Sequence, residues 1–325
     1  MSISRRALLR ASGCLGLGAG LVSCTEPAGE TRPRDSEEGA PTPSLSPARD
    51  ALPATRPWSA APRDVAPEVK QAAALLAETA GSWSEGEGGI RRTARRLQVA
   101  GYDPNLVDDL GPLLTDDEAA VAEVRVAQYG GILSTSASVL IVVDQWVLRM
   151  DGRLRRRGTT LDVRLVADEP RWTVTAVRPA QPGRRTGEVT GAAQRLLASD
   201  RVTLPPAAAR DVRSGVIADS VLRSLNSLSA AHRLDVSVLR SGHPLRVFGT
   251  GRTSDHTEGR AVDIWALDGL PIIKPGLRTM VADFMQAARA AGAYQVGGPV
   301  DPDGSGTSYF ADATHQDHIH LGFAG

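Results

Sequence analysis

Apolar positions first recur with a helical period at Val65. Val65, Val69, Ala72, Ala73, Leu76 and Thr79 fall on one face of a helix, and a second helix is predicted from about Gly89 to Ala100, where Ile90, Ala94, Leu97 and Val99 are flanked by arginines. The period then shortens to two. Val121 to Ala127, Ala137 to Met150, Thr159 to Ala167 and Arg171 to Val177 alternate or run apolar at strand length, with Gly130-Gly131, Asp151-Gly152 and Glu169-Pro170 read as turns. From about residue 184 the pattern mixes both periods. It predicts a helix around Glu188 to Ala198, a Pro-initiated turn at Leu204 to Arg210, and a helix near Asp219 to His232. A strand from Leu234 to Arg240, a helix of about Gly276 to Ala291 stopped by Gly292, and a return through Tyr294-Gln-Val follow.

Helices followed by a strongly bent antiparallel sheet make residues 63–183 an α+β accessory domain. Its closing hairpin, Leu161 to Val177, resembles that of the nuclear-transport-factor-2-like fold, which implies a cone-shaped sheet around the helices. No chemistry is assigned to this domain: Asp144, Trp146 and Arg149 read as one solvated face of a sheet. Residues 184–325 read as a second α+β domain with a small antiparallel sheet.

The chain upstream has a different texture. Ser4-Arg5-Arg6-Ala7-Leu8-Leu9-Arg10 resembles the twin-arginine export signal, and the run to Val22 is too short and too polar for a lasting membrane span. Leu21-Val22-Ser23-Cys24 resembles a bacterial lipobox, which implies removal of residues 1–23, lipidation of Cys24 and an extracytoplasmic, membrane-anchored protein. Thr25 to Pro62 holds eight prolines in 38 residues with no sustained apolar period, so residues 24–62 are expected to be a disordered tether with a reach on the order of 35 Å.

Composition adds exclusions. Of the chain's 325 residues, 42% are hydrophobic and 23% charged, as in a folded globular protein. The only cysteines are Cys14 and Cys24, so the processed chain has no pair for a disulfide. Losing Arg5, Arg6 and Arg10 with the signal leaves 34 basic against 37 acidic side chains, which gives no reason to expect a nucleic-acid partner.

The candidate chemistry lies near the end of the chain. Three of its six histidines, His315, His318 and His320, stand within six residues. His256 and Asp263 are seven apart with Gly259 between them, so a turn can bring an imidazole and a strand carboxylate to one point, while His318 and His320 share one strand face. Two histidines and a carboxylate with an open fourth position is the ligand set of a catalytic zinc. His232 and His243, standing alone, read as surface or internally satisfied residues.

Ser254-x-His256-x-x-Gly259-x-Ala261-x-Asp263 with His318-x-His320 resembles the ligand pattern shared by lysostaphin, the D-Ala-D-Ala metallopeptidases and the zinc domain of Sonic hedgehog. His315-x-x-His318-x-His320 resembles the ending of penicillin-insensitive murein endopeptidases. The resemblance implies zinc held by His256, Asp263 and His320, with His318 and His315 hydrogen-bonding the water or the oxyanion. It leaves the base as Asp317 or His318, and places Ser254 and Arg252 as candidate substrate-binding residues. Carboxypeptidase relatives carry a Glu where Asp317 stands and an arginine soon after a Ser-Gly pair, whereas here Ser241-Gly242 is followed by His243-Pro244. The function expected is therefore a zinc-dependent peptidase acting on peptidoglycan, an endopeptidase rather than a D,D-carboxypeptidase. The alternatives are a non-catalytic hedgehog-like zinc domain and a ligand-binding lipoprotein.

Overall fold

Helix α1 (Pro67–Gly81) starts with Pro at its first position and buries Val69, Ala73, Leu76, Ala77 and Ala80 along one stripe. Helix α2 (Ile90–Val99) and a 3-10 segment, Pro104–Leu113, complete the helical layer. The layer lies on a four-stranded antiparallel sheet of β1 (Ala119–Ile132), β2 (Ser136–Leu148), β3 (Leu154–Asp168) and β4 (Arg171–Pro179), in that spatial order. Odd positions of β2, among them Val139, Ile141 and Val143, join the helix-side core. Its even positions Ser138, Leu140, Val142 and Asp144 are buried as well, so both faces of this sheet are covered. Asp144 is consequently not on a solvated face; it ion-pairs Arg156 at 2.8 Å.

The computed structural model describes residues 49–168, 170–184, 188–304 and 306–325. The second half contains α3 (Gly191–Ala198), β5 (Val202–Thr203), α4 (Pro206–Arg213), α5 (Asp219–Leu228), β6 (Leu234–Val238), β7 (Ala261–Leu267), β8 (Leu270–Pro271), α6 (Arg278–Ala290), β9 (Gln295–Gly297), β10 (Tyr309–Phe310) and β11 (Ile319–Gly322). Its sheet runs β10-β9-β11-β7-β6-β5, with β8 on β7; the central pairings are antiparallel, while β5 with β6 and β10 with β9 pair in parallel. A separate hydrophobic core, built around Leu225, Ile264, Phe284 and Leu321, lies between this sheet and its helices. The protein is thus mixed α+β with two cores. All the described residues belong to one compact unit, and among them no helix is long and apolar enough to cross a membrane.

Three expectations are corrected. Residues 49–62, assigned to the disordered tether, lie against the folded body: Leu154 N–H donates to Asp50 at 2.7 Å, Trp58 N–H donates to Glu78 at 2.8 Å, and the Trp58 ring packs on the first core. A proline-rich strand can order without a core of its own when a neighbour satisfies its backbone and its one aromatic side chain, which composition does not reveal. Gly130 and Gly131 are not a turn but part of β1, at a bulge where the register with β2 shifts. A Cβ at Gly131 would run into the Phe248 ring of the second half, so the glycine permits a close approach. The Pro-initiated turn is a two-turn helix, α4.

Candidate metal centre

Two local structures carry the converging side chains. Residues 254–260 form one helical turn closed in the Schellman manner: Arg260 N–H donates to Asp255 O at 2.9 Å, Gly259 N–H donates to His256 O at 3.0 Å, and Gly259 takes φ +68°. Ser254 caps the turn, its hydroxyl accepting from His256 N–H at 3.3 Å. The turn places His256, fully buried, beside β7, whose Asp263 pairs in antiparallel register with His320 on β11. Residues directly opposite across such a ladder project from the same face, so His320 and Asp263 meet by register.

The atoms that meet are His256 Nε2, Asp263 Oδ1 and His320 Nδ1, separated by 3.1, 3.2 and 3.0 Å. His256 Nδ1–H donates to the Leu239 carbonyl at 2.5 Å, which turns Nε2 toward the Asp263 carboxylate and His320. A cation among the three atoms would satisfy all of them. Ligands around a tetrahedral zinc, at bond lengths of about 2.0–2.1 Å, stand about 3.3 Å apart, close to the observed spacing.

Burial and charge shift two groups of the trio. Burial pushes His320 down to about 4 despite Asp263 beside it, so its ring is neutral at neutral pH. Burial alone would raise Asp263, but the imidazoles of His256 and His318 hold it well below the usual carboxylate range.

His243, His256 and Asp263 also form a cluster that could hold a metal ion, with one ligand atom from each within 4.8 Å of the others. The His243 and His256 rings, however, are stacked at 3.8 Å and 18°. Near-parallel rings direct their in-plane lone pairs along parallel lines, so His243 covers the His256 ring, and the trio with His320 converges more tightly. His243, expected to be a surface or internally satisfied residue, is half-buried with Nδ1 2.9 Å from the Pro244 carbonyl, and it also forms part of the wall of the site, a place that no feature of its sequence spacing signals.

The remaining expected residues sort clearly. His318 is buried, with Nδ1 2.6 Å from Asp317 Oδ1 and Nε2 3.8 Å from Asp263 Oδ2, close to the converging atoms but not among them. Asp317, 8% exposed, turns its other oxygen to the Lys70 ammonium and to Tyr129 N–H at 3.4 Å. His315 holds Asp312 through Nδ1 at 2.7 Å and meets the Phe310 ring edge-on. Arg252 and Ser254 lie on the wall of a cavity of about 490 Å³, and Gly131 of β1 with Phe248 lines another side. Cys24 and the signal lie outside the described residues.

The accessory half, expected to carry no chemistry, contributes directly. Gln128 Nε2–H donates to Asp263 Oδ2 at 2.9 Å, and Lys70 is ion-paired with both Asp64 and Asp317. Neither residue was signalled by the sequence pattern: Lys70 lies off the predicted face of Val69, Ala72, Ala73 and Leu76. Comparison with protein-family models, with curated proteins and with solved structures returns no match to this chain.

Proposed function

We propose that this protein is a zinc-dependent peptidase of peptidoglycan stem peptides or cross-links, of the lysostaphin, D-Ala-D-Ala peptidase and hedgehog zinc-domain type. The observation that carries the reading is the convergence of His256 Nε2, Asp263 Oδ1 and His320 Nδ1 to 3.0–3.2 Å beside an open cavity. Those three residues would hold the metal. Zinc in such a site supplies a Lewis acid that acidifies water and polarises a carbonyl.

The chain's own groups do the rest. His318 is anchored through Nδ1 by Asp317, so its Nε2 is presented toward the cavity, where it takes the proton of the attacking water and delivers it to the leaving amine. Asp317 is occupied by His318 and Lys70, so the proton-transfer role falls to His318. His315, 5.0 Å from His318 and 5.8 Å from His320 between ring centroids, stands where it can hydrogen-bond a developing oxyanion. Arg252 and Ser254 line the same cavity and are placed to contact a substrate there. An internal bond is favoured as the target, because His243-Pro244 occupies the place of a carboxylate-gripping arginine.

The export signal and Leu21-Val22-Ser23-Cys24 support a lipid-anchored location facing the wall. The test is elemental analysis of protein purified without added metal, paired with digestion of purified murein with and without chelator. About one zinc per chain and chelator-sensitive release of peptides support the reading; zinc far below one equivalent that soaking does not restore refutes it.

A further inference from the structure

Burial of a lysine ammonium is costly, and apolar residues of similar size would hold two protein halves together at least as well. Lys70, 1% exposed, nevertheless reaches from α1 between Asp64 and Asp317, residues far apart in sequence. Burial works against its charge, but the two carboxylates raise its pKa, so it stays an ammonium. Asp317 in turn holds His318 Nδ1 at 2.6 Å. On β1, Gln128, also 1% exposed, donates its amide to Asp263 Oδ2 and leaves Oδ1 for the converging cluster. The neighbouring Tyr129 gives Asp317 its backbone N–H and ties its hydroxyl to the Val65 and Ala66 carbonyls, at 2.7 and 3.0 Å, at the entry to α1. The polar contacts made by Lys70, Gln128 and the Tyr129 N–H thus end on Asp263 of the converging trio or on Asp317, the partner of His318.

We propose that the N-terminal half completes the reaction centre, with Gln128 positioning the Asp263 ligand and Lys70, backed by Asp64, positioning Asp317 and through it His318. This rests on the peptidase reading for its kinetic consequences, but not for its structural ones. Gln128 holds Asp263 Oδ2, so that only Oδ1 would be free to bind a metal. Lys70 fixes the Asp317 carboxylate so that it accepts from His318 Nδ1–H, which turns Nε2 toward Asp263 and the cavity, as oriented carboxylate–histidine pairs do elsewhere. The halves then cannot be treated as an enzyme and a spacer: neither alone contains the site.

The experiment uses the zinc-loaded chain and two variants. Gln128→Leu should weaken zinc about tenfold to a hundredfold in a chelator competition, the usual effect of losing an outer partner of a ligand. Lys70→Met combined with Asp64→Asn removes one charge of each sign; it should keep zinc, lower kcat about tenfold to a hundredfold at little-changed KM, and move the His318 ring 15N signals from a single Nδ1–H tautomer to a mixture. The wild-type spectrum decides independently of whether a variant folds: a His318 without a proton on Nδ1 overturns the Lys70 arm. A folded variant with wild-type zinc affinity (Gln128→Leu), or with wild-type kcat and ring signature (the double variant), overturns the role of its residue. Failure of wild-type protein to cleave any murein would refute the peptidase reading, leaving zinc affinity and the ring signature to judge this one.

Discussion

Gly259→Ala probes the turn that delivers His256. Gly259 sits at φ +68°, the left-handed position that closes the helical turn 254–260, and its carbonyl accepts from Ala218 N–H at 2.9 Å. Forcing alanine into that conformation costs about 1 kcal/mol. A Cβ there would also overlap the backbone carbonyl of Val216, which, unlike a flexible side chain, cannot step aside. Relief requires the 216–218 segment or the turn itself to shift, adding roughly 1–3 kcal/mol as in other overpacked sites. The total expected is about 2–4 kcal/mol, measured by denaturant unfolding of the metal-free protein. Because any shift of the turn carries His256 with it, zinc affinity in a chelator competition should fall as well. A Gly259→Ala protein within about 0.5 kcal/mol of wild type and with unchanged zinc affinity would refute both the turn assignment and its role in placing the ligand.

Other outcomes follow from the same geometry. His318→Ala should keep its zinc and fold while turnover falls by about two to four orders of magnitude, read by muropeptide release; His320→Ala should lose both zinc and turnover. Burial would raise Asp317, but Lys70 and His318 hold it at about 2 against an ordinary 3.8. Its stabilisation, about 2 kcal/mol, is therefore complete above roughly pH 4 and lost as pH falls toward 2. Unfolding measured across that range should show this acid limb, and Asp317→Asn should remove it. Cys24→Ser should release the protein from membranes or leave an unprocessed precursor; unchanged membrane fractionation would contradict lipidation.

The convergence of His256, Asp263 and His320 was legible because a turn and the two-residue strand period place these side chains. A glycine-closed turn before a strand brings His256 to Asp263, and a ladder pairs Asp263 with His320; both follow from spacing and period. The α+β character, α1 and the four long strands were legible for the same reason. What escaped depends on contacts between distant segments. Lys70 looked like an ordinary helix residue until Asp64 and Asp317 enclosed it, and Gln128 is one polar position on a strand until β1 meets β7. Gly130-Gly131 resembles a turn in sequence because close approach and chain reversal select the same residue. The order of residues 49–62 was hidden because their partners, Glu78 and Gly152, belong to elements that composition cannot bring together.

The most direct test is mass spectrometry of muropeptides released from purified murein by the zinc-loaded protein, by the chelated protein and by His320→Ala. The account predicts cleavage at one kind of peptide bond by the first, none by the other two, and recovery when zinc is returned to the chelated sample. Full zinc occupancy with no bond cut in any murein, or cleavage that persists in His320→Ala, would contradict it.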